Sequence, residues 1–203
     1  MVEEYRYKIV LMGDADVGKT TICKIFRSGI LGQNSQSTIG VAYHCKNLDI
    51  NIEKDGKNKS AKLMCEMWDT AGSERYRSLI TIYLRGAHLA LLVFDVNNRE
   101  SFLNLENWWR TIISYDNETN IVIIGNKTDL ESKVSEEEIN HFCKEKNMTY
   151  FQCSCYSSDI IQNLTNLIVQ QFKSTIIKNP KLENKKNIIL PEKTHQSKFC
   201  CFY

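Results

Sequence analysis

Gly13-Asp14-Ala15-Asp16-Val17-Gly18-Lys19-Thr20 is a G-x-x-x-x-G-K-T run. Glycines let backbone amides close around an oxyanion, and a helix N-terminus adds the positive end of its dipole. A lysine placed as Lys19 reaches the outer phosphates, and a hydroxyl placed as Thr20 can ligate magnesium. The chemistry is that of a nucleoside triphosphate site. Two further patterns follow in order, the D-x-x-G of Asp69-Thr70-Ala71-Gly72 and the N-K-x-D of Asn126-Lys127-Thr128-Asp129. The first offers a metal and phosphate sensor, the second a base reader. The Asp129 carboxylate can accept from both N1–H and the exocyclic amine of guanine. Adenine would meet it with an acceptor nitrogen and a C–H, leaving a buried charge unpaired. Guanine is favoured.

These patterns need strand ends to hold them, and the hydropathy supplies the strands. Tyr7-Lys8-Ile9-Val10-Leu11-Met12 leads into the glycine turn, and Ile22, Ile25 and Phe26 then recur at helical spacing. A polar loop, Gly32-Gln33-Asn34-Ser35-Gln36, precedes Ser37-Thr38-Ile39-Gly40. Leu48, Ile50 and Ile52 alternate with polar residues, Asp55-Gly56 supplies turn chemistry, and Leu63, Cys65 and Met67 alternate again. This predicts an antiparallel hairpin whose second strand ends in Trp68-Asp69-Thr70-Ala71-Gly72, at the sheet edge where open α/β sheets gather ligands. The run 89–96 predicts a buried strand, followed by a helix with Phe102, Leu105, Trp109 and Ile112 on one face. Trp108 and Trp109 read as core anchors. Residues 120–125 form another buried strand carrying the N-K-x-D at its end. Ser135-Glu136-Glu137-Glu138 is a capping box, opening a helix through Ile139, Phe142 and Cys143 with His141 on its surface. A last strand, 148–153, leads into Ser154-Cys155-Tyr156, and Ile160, Ile161, Leu164, Leu167, Ile168 and Phe172 mark the closing helix. From about Lys178 the periodicity dissolves into a flexible tail.

Composition bounds the partners. With Lys+Arg 26 against Asp+Glu 24 in 203 residues, no global basic field points to nucleic acid. The start, Met1-Val2-Glu3-Glu4, is acidic, and no uninterrupted apolar run reaches the ~18 residues of a membrane span. The chain is expected to stay on the cytosolic side. Its eight cysteines are expected as reduced thiols, with Cys23, Cys45, Cys65 and Cys143 in the core. Cys153-x-Cys155 lacks a second Cys/His pair at zinc spacing, so no thiolate metal site is expected.

Assembled, these residues resemble the Ras superfamily of small GTPases, and specifically its Rab branch, over roughly residues 5 to 177. Rab-like wording stands in Ile39-Gly40-Val41-Ala42-Tyr43, in Trp68-Asp69-Thr70-Ala71-Gly72-Ser73-Glu74-Arg75-Tyr76, in Tyr83-Leu84-Arg85-Gly86-Ala87 and in Ser101-Phe102-Leu103-Asn104-Leu105. The resemblance implies an α/β P-loop NTPase fold: a mostly parallel six-stranded sheet, one antiparallel edge strand and helices on both faces. It implies GTP or GDP as ligand and magnesium as cofactor, held by Thr20 and Thr38 and, through a water, by Asp69. The amides of Thr38 and Gly72 would sense the γ-phosphate. Nucleotide contacts carry over to Gly13, Asp16, Val17, Gly18, Lys19, Thr20, Thr21, Leu31, Asn126, Lys127, Asp129 and the Ser154-Cys155-Tyr156 loop. Lys19, Thr38, Gly72 and Ser73 take the catalytic positions, and Tyr43, Trp68 and Tyr83 an effector-facing aromatic triad. Implied partners are an exchange factor, a TBC-type GTPase-activating protein, a GDP-dissociation inhibitor or escort protein, and effectors, with the protein itself a monomer.

Departures from the family pattern carry their own expectations. Ser73 stands where relatives place the glutamine that orients the attacking water, and its hydroxyl is too short to reach it, so intrinsic hydrolysis is expected to be slow. A TBC-type partner supplies an arginine and a glutamine from outside, so assisted turnover is retained. Leu31 replaces an aromatic against the guanine edge, which predicts looser nucleotide by ~1 kcal/mol, with the Tyr156 ring as a compensating contact. Ala15 is small and tolerated, and the turn 54–60, with three lysines, reads as longer than usual. The end, Phe199-Cys200-Cys201-Phe202-Tyr203, resembles double-cysteine termini that accept two geranylgeranyl groups, and lysines outnumber acids in 178–203. Two lipids supply the stable anchoring that one does not, and the lysines add attraction to anionic lipid. The expected function is a GTP/GDP switch in vesicle-mediated trafficking, cycling between the cytosol and the cytoplasmic face of an organelle or vesicle membrane. The alternative is a hydrolysis-deficient, nucleotide-dependent binding module. A nucleotide or small-molecule kinase is disfavoured, because no acceptor lid is apparent.

Overall fold

The computed structural model describes residues 2–30, 38, 40–54, 56–72 and 82–178. Strands β1 (Glu3–Met12), β2 (Val41–Lys54), β3 (Lys57–Thr70), β4 (Leu89–Asp95), β5 (Asn120–Asn126) and β6 (Thr149–Gln152) form one six-stranded sheet in the order β2-β3-β1-β4-β5-β6. Only β2, on an edge, runs antiparallel to its neighbour; β1 pairs in parallel with β3 and β4, and β5 with β4 and β6. Among the described residues, the helices that flank the sheet are α1 (Lys19–Ser28), α2 (Arg99–Leu103), α3 (Leu105–Tyr115), α4 (Glu136–Glu145) and α5 (Ile160–Lys178).

The central strands read as continuous apolar runs because both of their faces are covered. In β1, Tyr5, Tyr7, Ile9 and Leu11 join one core, while Val10 and Met12 join the other. β4 divides likewise, Leu89, Leu91 and Val93 against Ala90, Leu92 and Phe94. The first core is closed by α1, through Ile22, Cys23, Ile25 and Phe26, and by α5, whose Phe172 ring meets Tyr5 and Tyr7 edge-on at 5.2 and 5.5 Å. The second is closed by Phe102 of α2, by Leu105, Trp108 and Ile112 of α3, and by Ile139 and Cys143 of α4. The capping box forms as expected, with the Ser135 hydroxyl accepting from the Glu138 amide and the Glu138 carboxylate reaching back to Ser135 N–H.

Three local expectations are corrected. The helix after β4 divides at Asn104, which ends α2 and begins α3. Phe102, Leu105 and Ile112 keep the expected face and Trp108 is wholly buried with them, while Trp109 packs half-buried against the same core with the Lys146 ammonium 4.2 Å from its ring. The hairpin turn is short, since Lys54 pairs with Lys57, and it is the strands that are long, at 14 residues each. Pairing with β1 begins only at Ala61, so Lys57–Ser60 overhang it; their polarity suits an end of the ribbon that meets water, and imitates a loop. Gly56, at φ 68, fits the two-residue connection. Cys45, expected in the core, is only half-buried on the edge strand. Among the described residues, no helix is long and apolar enough to cross a membrane.

Candidate functional site

At the end of β1 the chain turns so tightly that a Cβ on Gly13 would lie 2.1 Å from the Val93 carbonyl oxygen, and one on Gly18 would lie 2.2 Å from Asn126 Nδ2. Asp16 sits at φ 60, a left-handed conformation that aspartate tolerates better than most residues. Gly18 then caps α1 without a side-chain acceptor, and no acidic residue stands in the first turn, so the helix end keeps its positive character. Lys19 is 5% exposed, and its ammonium donates to the carbonyls of Gly13 (2.8 Å) and Asp14 (2.5 Å). Burial pushes its pKa down to about 8, opposed by Asp69, Asp14 and Asp16.

Beside the loop, the Thr20 hydroxyl donates to Asp69 Oδ2 at 2.6 Å and lies 2.7 Å from the Thr38 hydroxyl, which itself reaches Asp69 Oδ2 at 3.3 Å. Asp69 is wholly buried, burial raises its pKa, and its Oδ1 has no hydrogen-bond partner among the described residues. Two hydroxyls and one carboxylate, with one of its oxygens unpartnered among the described residues, are the hard oxygen donors that magnesium takes. The donor set fits that ion. No group of three His, Cys, Asp or Glu side chains suited to a metal exists among the described residues. The strand end is pinned by Thr70 Oγ1 donating to Leu11 O at 2.7 Å. Gly72 lies so close to the phosphate loop that a Cβ there would be 2.3 Å from the backbone of Asp14 and Ala15.

At the end of β5, Asn126 is 1% exposed, and its Nδ2 donates to Val17 O at 2.8 Å. Its Oδ1 accepts from the Cys153 and Cys155 thiols at 3.4 and 3.7 Å. The two cysteines thus brace an amide that braces the phosphate loop. Lys127, at φ 65, extends its ammonium to Asp95 Oδ2 at 2.6 Å. Asp129 is exposed, and it accepts from the Ser154 hydroxyl, which in turn accepts from the Tyr156 amide at 3.1 Å. The Tyr156 ring is 74% exposed. Asp95 was not among the expected site residues; its signal is a lone carboxylate closing an otherwise apolar strand. Leu31, Ser73, Cys200 and Cys201 lie outside the described residues.

On the outer side of β2 and β3, Tyr43, Trp68 and Tyr83 are continuous, with ring centroids 5.1 Å apart for Tyr43–Trp68 and 5.5 Å for Trp68–Tyr83. Tyr43 is exposed, whereas Trp68 and Tyr83 are half-buried. The Lys8 ammonium stands 5.1 Å from the Trp68 ring, a cation–π contact beneath the patch.

A doubly covered parallel sheet with a glycine turn feeding α1 defines the class, that of the phosphate-loop nucleotide-binding fold. The sequence matches the Ras family over residues 8–174. It is 34% identical over 184 residues to the Ras-related protein Rab-30 of Homo sapiens, an alignment covering 87% of each chain. It is 33% identical over 188 residues to the Ras-related protein RABA4b of Arabidopsis thaliana, covering 91% of this chain and 77% of that one. It is also 33% identical over 182 residues to the Ras-related protein Rab-5B of Plasmodium falciparum, covering 87% and 84%. The chain belongs to the Ras superfamily of small GTPases, in its Rab branch.

Proposed function

We propose that the protein is a guanine-nucleotide switch of membrane trafficking, which hydrolyses GTP slowly unaided and carries two lipids at Cys200 and Cys201. The observation that carries the reading is the meeting of Thr20, Thr38 and Asp69 beside Lys19. Thr38 precedes β2 and Asp69 stands at the end of β3, so a ligand bound among them and the phosphate loop would add to the hydroxyl and carboxylate contacts that already join these segments. Thr20, Thr38 and, through a water, Asp69 would hold magnesium, which when bound neutralises charge on the phosphates. Lys19 donates to two backbone carbonyls beside the loop, and a phosphate anion would be a stronger partner for its ammonium. The amides of Thr38 and Gly72 would register the γ-phosphate.

At the base end, Asp129 reads the guanine edge, Lys127 is steered by Asp95, and Ser154-Cys155-Tyr156 closes the ring from the other side. Thr21, Val17 and Asp16 complete the phosphate side, and Asn126, at the base end, also braces the phosphate loop through Val17 O. Hydrolysis is positioning and charge neutralisation, with water as nucleophile. Ser73 in place of glutamine weakens the step in which that water is aligned. Tyr43, Trp68 and Tyr83 form the surface effectors would meet, and the lysine-rich end adds attraction to anionic membranes. Exchange factors, TBC-type activators and a dissociation inhibitor or escort protein complete the cycle, with the protein acting as a monomer.

Single-turnover GTP hydrolysis, with and without a TBC-domain partner, tests this. Slow intrinsic turnover, raised by the partner and by Ser73→Gln, is expected. Turnover unmoved by either would support the second reading, a binding module governed by exchange alone, which Ser73 and Leu31 favour. Mass spectrometry of the protein from its own cell should report guanine nucleotide and two prenyl groups.

A further inference from the structure

Asp14 stands where three parts of the molecule meet. Its carboxylate accepts from the Trp108 indole, Oδ1 to Nε1 at 2.8 Å, and from the Asn104 amide, Oδ2 to Nδ2 at 2.7 Å. Its backbone carbonyl accepts from the Lys19 ammonium, and the same peptide lies against Gly72. Asn104 and Trp108 are one helical turn apart at the start of α3, so one carboxylate receives a donor from each. Trp108 is 1% exposed and anchored in the second core, whereas α1 closes the first. The loop is thereby gripped from the face of the sheet opposite its own helix.

Within the loop, Gly13, Asp16 and Gly18 all have positive φ, so little in the backbone itself keeps the Asp14 carbonyl turned toward Lys19. An indole N–H is a donor with no acceptor capacity, and a carboxylate is its strongest neutral-pH partner. On the reading that this loop holds guanine nucleotide, we propose that Asp14 is a positioning residue for nucleotide retention, coupling α3 to Lys19 and Gly72 through Trp108 and Asn104. The carboxylate fixes the peptide that sets both the lysine and the phosphate-sensing glycine. It does not itself touch the ligand.

The test is dissociation of a fluorescent N-methylanthraniloyl-GDP from the full chain, chased with excess GDP. Trp108→Phe is expected to release it about ten-fold faster, the scale of one lost charge-assisted hydrogen bond, and Asp14→Ala, which loses the Asn104 bond as well, at least as fast. Combined, they should release it no faster than the faster single variant, because both cut one link. Ile112→Ala, buried on the same helix, should lower the melting temperature yet leave release within about two-fold of the parent, separating retention from stability. Asp14→Asn keeps an acceptor for the indole and should fall between parent and alanine. It carries the test if Asp14→Ala does not fold. Release unchanged in Asp14→Ala and Trp108→Phe, or multiplied in the double variant, would overturn the coupling alone. A parent chain that fails to hold the labelled GDP at all would overturn the nucleotide reading and the coupling with it.

Discussion

Replacing Asn126 separates a brace on the phosphate loop from a contact with the base. Its amide donates to Val17 O at 2.8 Å from a site 1% exposed, so Asn126→Ala leaves a buried carbonyl short of its donor. That costs about 1–3 kcal/mol; the thiols of Cys153 and Cys155 are weak donors and add little. Taking about 2 kcal/mol, and supposing the whole loss falls on the bound state, nucleotide affinity drops about 30-fold. Asn126→Asp has the same shape but sets an anion against the Val17 carbonyl, and an uncompensated buried charge costs about 3–5 kcal/mol. The two variants also differ in their response to pH. A protonated carboxyl can donate to Val17 O, so the aspartate defect should shrink as pH falls from about 8 to about 5.5, while the alanine defect, taken relative to the parent at each pH, should stay level. Labelled-GDP titration of all three proteins across that range is the assay. An alanine variant within about two-fold of the parent, or aspartate and alanine variants that track each other at every pH, would refute the brace.

Gly72→Ala would place a Cβ 2.3 Å from the backbone of Asp14 and Ala15, a clash no rotamer relieves. The GDP and non-hydrolysable GTP forms should then give the same tryptic pattern, where the parent gives two. Asp129→Asn exchanges an acceptor for a donor at the guanine edge and should cost about ten-fold or more in GDP affinity, measured by calorimetry. Alkaline stability should be governed by buried thiols: burial raises Cys65 to about 12 and Cys155 to about 11, and shifts Cys23 and Cys153 upward as well. Above pH ~9 the unfolded chain sheds these protons and the folded chain keeps them, so stability falls, by up to ~1.4 kcal/mol per pH unit for each thiol. Lys19, lowered to about 8 when folded, and Lys8, also lowered, act the other way below their usual 10.5, but Cys45, Cys143, Tyr7, Tyr43 and Tyr150 are raised by burial and act with the four thiols. Urea unfolding of the nucleotide-free protein in reducing buffer should show the net decline; a level or rising profile would contradict it.

The doubly buried strands were legible because β1, β4 and β5 lie inside the sheet, where nearly every side chain must be apolar. The site at the end of β5 was legible for the same reason, since Asn126 interrupts that run at the ligand edge; Asp69 was marked instead by the D-x-x-G at the end of the alternating β3, and Asp95, which closes β4, was passed over. Less readable was anything set by three-dimensional phase or overhang. The break at Asn104 left no mark in the periodicity, and the polar ribbon beyond Ala61 looked like turn. The partners of Asn126 and Asp14 could not be read at all, because a side-chain hydrogen bond between a loop and an element distant in the chain leaves no periodic trace.

The bonds that complete the pocket join residues far apart in the chain: 109 positions separate Asn126 from Val17, and 94 separate Trp108 from Asp14. The thiol of Cys155 is the last support to arrive. During synthesis, then, the glycine turn leaves the ribosome long before anything holds it in shape, and a nascent chain ending before β6 lacks both thiol supports of Asn126. Ligand capture is a late event, and it stabilises the finished fold because only that fold has the cradle.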